Sequence, residues 1–474
     1  MHWLPWTAET FARAAQERKP ILLSISAAWC SACHEMDRTT YTDPDVAALT
    51  AERYVAVRVD ADQRPDINDR YNLGGWPTTA FLTPDGELIG GGTYLDAARM
   101  AGVLRQVADA FANMIAARGA PPAGAQLEPG ADGAAVLRDN AVVDPAQVFA
   151  SFDEEYGGFG MEPKFPLTSP LQLAMALYRE TGDPRYRFIV ERTLDGIAEG
   201  GLYDPASGGY FRYATTRAWQ LPHREQLLET NARLLATFVE AATTFQRAID
   251  RNRAVEVAAF VARLASASGG YRGSTEHPQV FAASTGCAVT ALLRFASATG
   301  DEGLVRETLS RFESFLLAAY RPGHGIAHMV DEGHRCPRLL ADQIAIGEAL
   351  LAAHAMTGDE PYRMMTEELG HYALGAFAAP GGGFFDRVRE SGDVGLLREL
   401  RVAYHDNCEA AAFFARLCGV SDEAAFAGVA EQALSSVEAA AAEHGPEAAH
   451  WLLAQRSQGP QRSEDLEGRK DLRS

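Results

Sequence analysis

The chain has 474 residues, 47% of them hydrophobic and 22% charged, a globular composition long enough for two or three domains. Forty-three lysines and arginines against 63 acidic residues give a formal charge of −20, which argues against nucleic acid or an anionic membrane as partner. No apolar run approaches the roughly 18 residues of a spanning helix; nor do the first 26 residues show the basic start and apolar core of a signal peptide, so a cytoplasmic protein is expected. Six cysteines in so long a chain do not make a disulfide framework. Four of them, Cys287, Cys336, Cys408 and Cys418, stand alone and are expected as ordinary buried or partly buried thiols.

In chain order, TAETFARAAQERK has helical periodicity with Thr7 as N-cap, and ILLSIS is a buried strand. CSACHEMDRTTY starts a helix with Cys30 and Cys33 in its first turn. DPDVAALTAER is a helix with Asp43 as N-cap and Pro44 at its first position. YVAVRVDAD alternates as a strand, and residues 65–92 give a short helix, a Gly-Gly turn and two strands around Pro-Asp-Gly. An amphipathic helix from Tyr94 to Ile115 closes the region. This succession, βαβ then a hairpin then α, is the α/β order of the thioredoxin-like fold, expected over residues 1–116.

Cys-x-x-Cys at the end of the first core strand is where that fold carries its dithiol. A cysteine at a helix N-terminus faces unpaired amide N–H groups and the positive end of the dipole, so Cys30 is the expected nucleophile and Cys33 the resolving thiol. Trp76 and Pro77 form the expected substrate-facing loop, through a cis X-Pro bond. The same cysteines with His34 could instead be half of a zinc site or a haem attachment site. No second Cys/His pair at zinc spacing and no export signal support either, so no metal and no cofactor beyond the dithiol are expected. His34 reads as a surface residue or as a cation beside the thiols. The buried aspartate that assists thioredoxins, six residues before the nucleophile, is Ser24 here.

Residues 117–140 are rich in Pro, Ala and Gly and read as a linker. Beyond them the chain repeats: Thr-Gly-Asp recurs at 181, 299 and 357, with a fourth turn from Gly419 to Asp422, and Gly-aromatic loops fall between. Gly ends one helix and Asp caps the next. Hairpins near 168–199, 222–268, 284–320, 338–377 and 404–443, with helices at 144–154 and 446–456 pairing across the ends, predict an all-α (α/α)6 toroid over residues 141–456. An open superhelix is the alternative. Residues 457–474 read as a disordered tail.

In such a toroid the long loops rim a cavity. An aromatic-lined cavity with carboxylates and histidines suits a sugar-like ligand. His223 and Glu225 are the candidates for acid/base chemistry. Tyr203, Arg212, Tyr213, Trp219, Asn231, Asp342, Asp406 and Asn407 are candidate ligand contacts, and any one of them could instead fix a loop or cap a helix.

The segments PWTAETFARAAQERKPILLSIS, CSACHEM, GGWPTTAFLTPDG, EEYGGFGMEPKFP, GGLYDPASGGYFRY, WQLPHRE, LLADQIAIGEALL, GGGFFD and HDN resemble the thioredoxin-domain proteins related to spermatogenesis-associated protein. That resemblance covers nearly the whole chain and implies a thioredoxin-like domain before a six-hairpin glycosidase-like barrel. PHREQLLETN keeps the family's histidine, glutamate and asparagine as His223, Glu225 and Asn231 but lacks its lysine and aspartate. RGSTEHP and CEAAA replace two further family motifs. The expected function is thiol-disulfide exchange, with a protein disulfide or a thioredoxin reductant as partner. The alternatives are a carbohydrate-active epimerase, isomerase or hydrolase acting on a sugar-like molecule, or a sugar-binding scaffold.

Overall fold

A computed structural model of the chain describes residues 1–118, 143–330 and 338–459. The expected linker and tail fall almost wholly outside the described residues, as does Cys336. The chain divides into two compact units, one of Met1–Asp139 with Arg389–Leu400, the other of Asn140–Val388 with Arg401–Ser474.

The first unit has a four-stranded sheet in the order β2-β1-β3-β4, from β1 (Ile21–Ser26), β2 (Val55–Asp60), β3 (Thr78–Leu82) and β4 (Leu88–Gly92). β1 and β2 run parallel, and β3 is antiparallel to both β1 and β4. Helices α1 (Ala8–Glu17), α2 (Ser31–Thr39), α3 (Pro44–Arg53), α4 (Pro65–Tyr71) and α5 (Ala97–Arg118) complete the thioredoxin-like fold. The caps read from the sequence are in place: Thr7 Oγ1 accepts the Thr10 N–H at 3.3 Å, and Asp43 Oδ1 accepts those of Asp45 and Val46 at 3.0 and 3.1 Å. Leu22, Met36, Phe81, Met100 and Leu104 are fully buried against one another. Each such side chain contributes about 1.5–3 kcal/mol.

Residues 389–400, distant in sequence, belong to this unit. Arg70 donates to the carbonyls of Leu396 and Glu399 at 3.1 and 2.8 Å, and the Tyr71 hydroxyl accepts the Leu396 N–H at 2.8 Å. Gly86 (φ +87°) makes the approach possible, because a Cβ there would lie 2.3 Å from the Cα of Gly395.

The second unit is a ring of helical hairpins. Its inner helices are α7 (Ser169–Thr181), α9 (Leu228–Phe245), α11 (Ala282–Thr299), α13 (Leu340–Thr357), α15 (Tyr404–Val420) and α18 (Ala449–Ser457). Each packs on the next in that order, and α18 packs back on α7, so the ring closes as a toroid. Outer partners are α8 (Pro184–Glu199), α10 (Ala248–Arg263), α12 (Glu302–Ala319), α14 (Glu360–Ala376) and α16 (Ala425–Ser435). α6 (Pro145–Phe149) packs on α18, joining the two ends of the unit, and α17 (Glu438–Ala441) is a short helix before α18.

The short turns follow the Gly-Asp logic. Gly182, Gly300 and Gly358 are left-handed C-caps at φ +69°, +72° and +74°. Asp183 and Asp301 then cap the next helices through the N–H groups of Arg185 and Leu304, both at 2.9 Å. The fourth turn differs: Gly419 lies inside α15, which runs on to Val420 and ends at an extended Ser421.

A second repeated device ties the Gly-aromatic loops to the inner helices. The fourth residue of α9, α13 and α15 is an amide that bonds both backbone groups of one loop residue. Asn231 takes the N–H and C=O of Tyr210 at 2.7 and 3.0 Å, Gln343 those of Ile326 at 2.8 and 2.9 Å, and Asn407 those of Phe384 at 2.7 and 2.9 Å. In α11 the equivalent residue is Thr285, whose hydroxyl accepts only the Tyr271 N–H, at 3.4 Å. Replacing Asn231 by leucine leaves a buried backbone pair unsatisfied and is expected to cost about 1–3 kcal/mol in urea unfolding. An unchanged midpoint would contradict this role.

Candidate functional site

In the first unit, β1 ends at Ser26 and the chain turns through Trp29 into α2. Cys30 is the N-cap of α2, and its Sγ accepts the Cys33 N–H at 3.1 Å. Cys30 and Cys33 form a disulfide, only 3% and 2% exposed. The Trp76–Pro77 bond is cis. The rings of Trp29 and Trp76 meet edge to face at 5.5 Å, and the Trp29 indole donates to Asp62 at 2.7 Å. Cys30 Sγ therefore sits at the positive end of the α2 dipole, facing the N–H of the first helical turn.

Ser24 is buried in β1 beside Thr79 of β3. The Tyr41 hydroxyl lies 3.3 Å from Thr79 Oγ1, and burial raises the pKa of that phenol. A set of neutral hydroxyls thus occupies the strand position where thioredoxins carry a carboxylate.

In the second unit the candidate residues fall into three groups. Around the loop from 200 to 225, Tyr213 stacks between Phe165 and His223, with ring centroids at 4.6 and 4.3 Å. Arg212 lies 5.3 Å over Tyr213, and His223 Nδ1 is 3.8 Å from Glu225 Oε2. Tyr203 packs on Tyr210 at 5.4 Å under the Arg253 guanidinium, 3.9 Å away. The second group is engaged within the fold. The amides of Asn231 and Asn407 hold loops, and Trp219, 1% exposed, donates its indole N–H to the Tyr156 carbonyl at 2.8 Å. Asp342 is buried, accepts the Ala283 N–H at 3.1 Å and lies 2.9 Å from His328 Nδ1. Asp406 stands in the first turn of α15.

The third group does not stand out as a set in the sequence. Arg233, sixth residue of α9, donates to Glu409, sixth residue of α15, at 3.0 Å, and its Nε donates to Glu229 at 2.9 Å. The His405 and His450 rings lie 4.7 Å apart, and His405 Nε2 is 3.9 Å from Glu447 Oε2. Burial pushes the His450 imidazole down to about 4 and lowers that of His405 as well. Burial alone would raise the Glu409 pKa, but Arg233 and then His450 outweigh it, leaving it below the usual carboxylate range. Cys287, the sixth residue of α11, is pushed up to about 12 by burial. The signal available in the sequence is a single charge inside each of several apolar inner helices, as in NARLLATF and NCEAAAFF. Among the described residues no group of three or more His, Cys, Asp and Glu could hold a metal ion.

Residues 1–119 match the family model Thioredox_DsbH, described as "Protein of unknown function, DUF255". The chain is 31% identical to human spermatogenesis-associated protein 20 over 306 residues, 57% of this chain and 38% of that protein. Over that stretch the chain is similar to spermatogenesis-associated protein 20. The matched stretch spans 34–38% of the length of spermatogenesis-associated protein 20 from human, rat and mouse, and 40% of the uncharacterized protein B0495.5 of Caenorhabditis elegans. A shorter stretch of 106 residues, 20% of this chain and 17% of its match, is 37% identical to thiol:disulfide interchange protein DsbD 1 of Pseudomonas aeruginosa. Among solved structures, a sugar epimerase from a ruminal bacterium superposes with a TM-score of 0.54 at 13% identity, covering 62% of this chain and 83% of that one. At that identity the likeness establishes the (α/α)6 fold alone.

The lowered pKa of His450 has a measurable consequence. A folded pKa near 4 against about 6.5 unfolded means the unfolded chain binds the extra proton first. This histidine therefore favours folding fully above about pH 6.5, and its contribution is lost progressively as pH falls toward 4. An NMR titration is expected to place the His450 midpoint near 4, and His450→Gln to flatten the fall in Tm between pH 6.5 and 4. A midpoint near 6.5 would contradict the enclosed setting.

Proposed function

We propose that the protein is a thiol-disulfide oxidoreductase in which Cys30 attacks and Cys33 resolves. The observation that carries this reading is the Cys30–Cys33 pair at the N-terminus of α2, with the Cys33 N–H already aimed at Cys30 Sγ. The thiolate of Cys30 attacks one sulfur of a partner disulfide, releasing the other as a thiolate. Cys33, deprotonated, then attacks the mixed disulfide, freeing the partner as a dithiol and leaving Cys30–Cys33 oxidised. With hydroxyls at Ser24, Tyr41 and Thr79 in place of a buried carboxylate, the Cys33 proton leaves to solvent. The second step is therefore slow at neutral pH. The similarity to DsbD 1 over 106 residues supports a protein disulfide or a thioredoxin-type reductant as partner. A cytoplasmic setting is part of this proposal; no helix among the described residues is long and apolar enough to cross a membrane.

The test is dithiothreitol-driven reduction of insulin. The wild-type chain is expected to accelerate it and Cys30→Ala to return it to background. Equal rates with and without the chain would end this reading.

A second reading concerns the helical ring. The charged and imidazole side chains that line its axis support a small sugar-like ligand inside it, in a fold shared with a sugar epimerase from a ruminal bacterium. Carbohydrate metabolism enters on this reading alone.

A further inference from the structure

α9 and α15 stand three places apart in either direction around the ring of six inner helices, so a bond between them spans the lumen. Arg233 makes that bond, reaching Glu409 at 3.0 Å from a helix 176 residues away in sequence. Protein surrounds both groups, yet 39% of the Arg233 side chain and 32% of the Glu409 side chain remain accessible. Surfaces that face the axis of a closed ring and still admit water border a void. Glu229, on the same helix as Arg233, keeps 52% of its side chain accessible. His405, His450 and Glu447 stand together beside Glu409.

The charge balance at this level is unequal. Glu229, Glu409 and Glu447 supply three carboxylates against two guanidinium groups: that of Arg233, whose Nε and Nη2 are already engaged, and that of Arg294, which also acts on Cys287. Burial disfavours the charged form of both imidazoles. Elsewhere in the ring Arg416 of α15 is matched by Glu348 of α13, with Nε at 3.0 Å. Around the bridge the surplus is of hydrogen-bond acceptors, which hydroxyl and ammonium donors satisfy. A phosphate or carboxylate would sit beside Glu229 and Glu409, where the Arg233 guanidinium is already bound to both, and burying an unpaired charge is costly.

Resting on the second reading above, we propose that the lumen around the Arg233–Glu409 bridge binds one small hydroxyl-rich molecule that is neutral or bears an ammonium group, and rejects phosphorylated and carboxylate-bearing counterparts. Glu229, Glu409 and the two imidazoles accept its O–H or N–H groups, while Arg233 holds the two carboxylates apart across the axis.

Calorimetric titration of the full chain with D-glucose, D-glucosamine, D-glucose 6-phosphate and D-glucuronate tests this. D-Glucose or D-glucosamine is expected to bind at least ~10-fold more tightly than either anion, a difference of one charge–charge contact or more. Glu409→Gln and, separately, Glu229→Gln are expected to narrow that ratio at least threefold while the protein keeps its helical circular dichroism. An anion that binds as tightly as its neutral counterpart overturns the proposal and leaves a sugar-binding ring standing. A ratio that neither variant changes removes the site from the lumen. No heat with any of the four sugars overturns both the proposal and the reading beneath it.

Discussion

Mixed with a disulfide-bearing protein, a Cys33→Ser variant is expected to accumulate a covalent adduct through Cys30, visible as a band shift that reductant reverses. Cys30→Ser is expected to give no adduct and to lose exchange activity by about 10³-fold or more, the usual scale for deleting a nucleophile. The asymmetry follows from position. Cys30 caps α2 and gains the N–H groups of its first turn, whereas Cys33 contributes its own N–H to Cys30 and lies one turn inside. Adducts of equal yield from both variants would show that helix position does not decide which sulfur attacks.

The largest stability effect is expected from Asp153→Ala. The Lys164 ammonium is fully buried, donates to Asp153 Oδ2 at 2.6 Å and to the Arg217 carbonyl at 3.0 Å, and lies 5.2 Å over the Trp219 ring. Arg217 grips the same carboxylate through two bonds of 2.8 Å. Burial opposes ionisation of Asp153, but the hydrogen bonds from Arg217 and Lys164 outweigh it and hold the carboxyl well below the usual carboxylate range. Removing it strands a cation in the interior, expected to cost about 3–5 kcal/mol. An Asp153→Leu, Lys164→Met double variant is expected to recover most of that. The folded pKa is depressed, so the stabilisation is complete above the unfolded carboxylate value of about 3.9 and lost as pH falls through the folded value. The gap in Tm between wild type and Asp153→Ala is therefore full at pH 5 and closes in stronger acid. A single variant within 1 kcal/mol of wild type at pH 7 would show that Lys164 finds other partners.

The dithiol is legible in the sequence because its physics is local: a strand of six apolar or small residues, two cysteines, then a helix. The toroid is legible because Thr-Gly-Asp marks the short turns at regular intervals, and Gly182, Gly300 and Gly358 adopt the left-handed conformation that pattern requires. Gly419 shows the limit of the pattern, since the same residue types there fall within a helix and just after it. Nor does composition distinguish a polar residue lining a cavity from one fastening a loop. Asn231 and Asn407 read from the sequence as ligand contacts, and the structure places each amide on a loop backbone. The Arg233–Glu409 bridge is not legible because it exists only once the ring closes. The docking of residues 389–400 into the first unit depends on a long-range fit between Gly86 and Gly395.

The measurement that bears most directly on thiol-disulfide exchange is the rate of Cys30 alkylation by iodoacetamide against pH in the reduced chain, read by mass spectrometry. A thiolate stabilised at the start of α2 is expected to titrate at about 7.5 or below, within the range for helix N-terminal cysteines. A midpoint at the unperturbed value of about 8.5, with no reduction of a test disulfide, would contradict the assignment of redox chemistry to this pair.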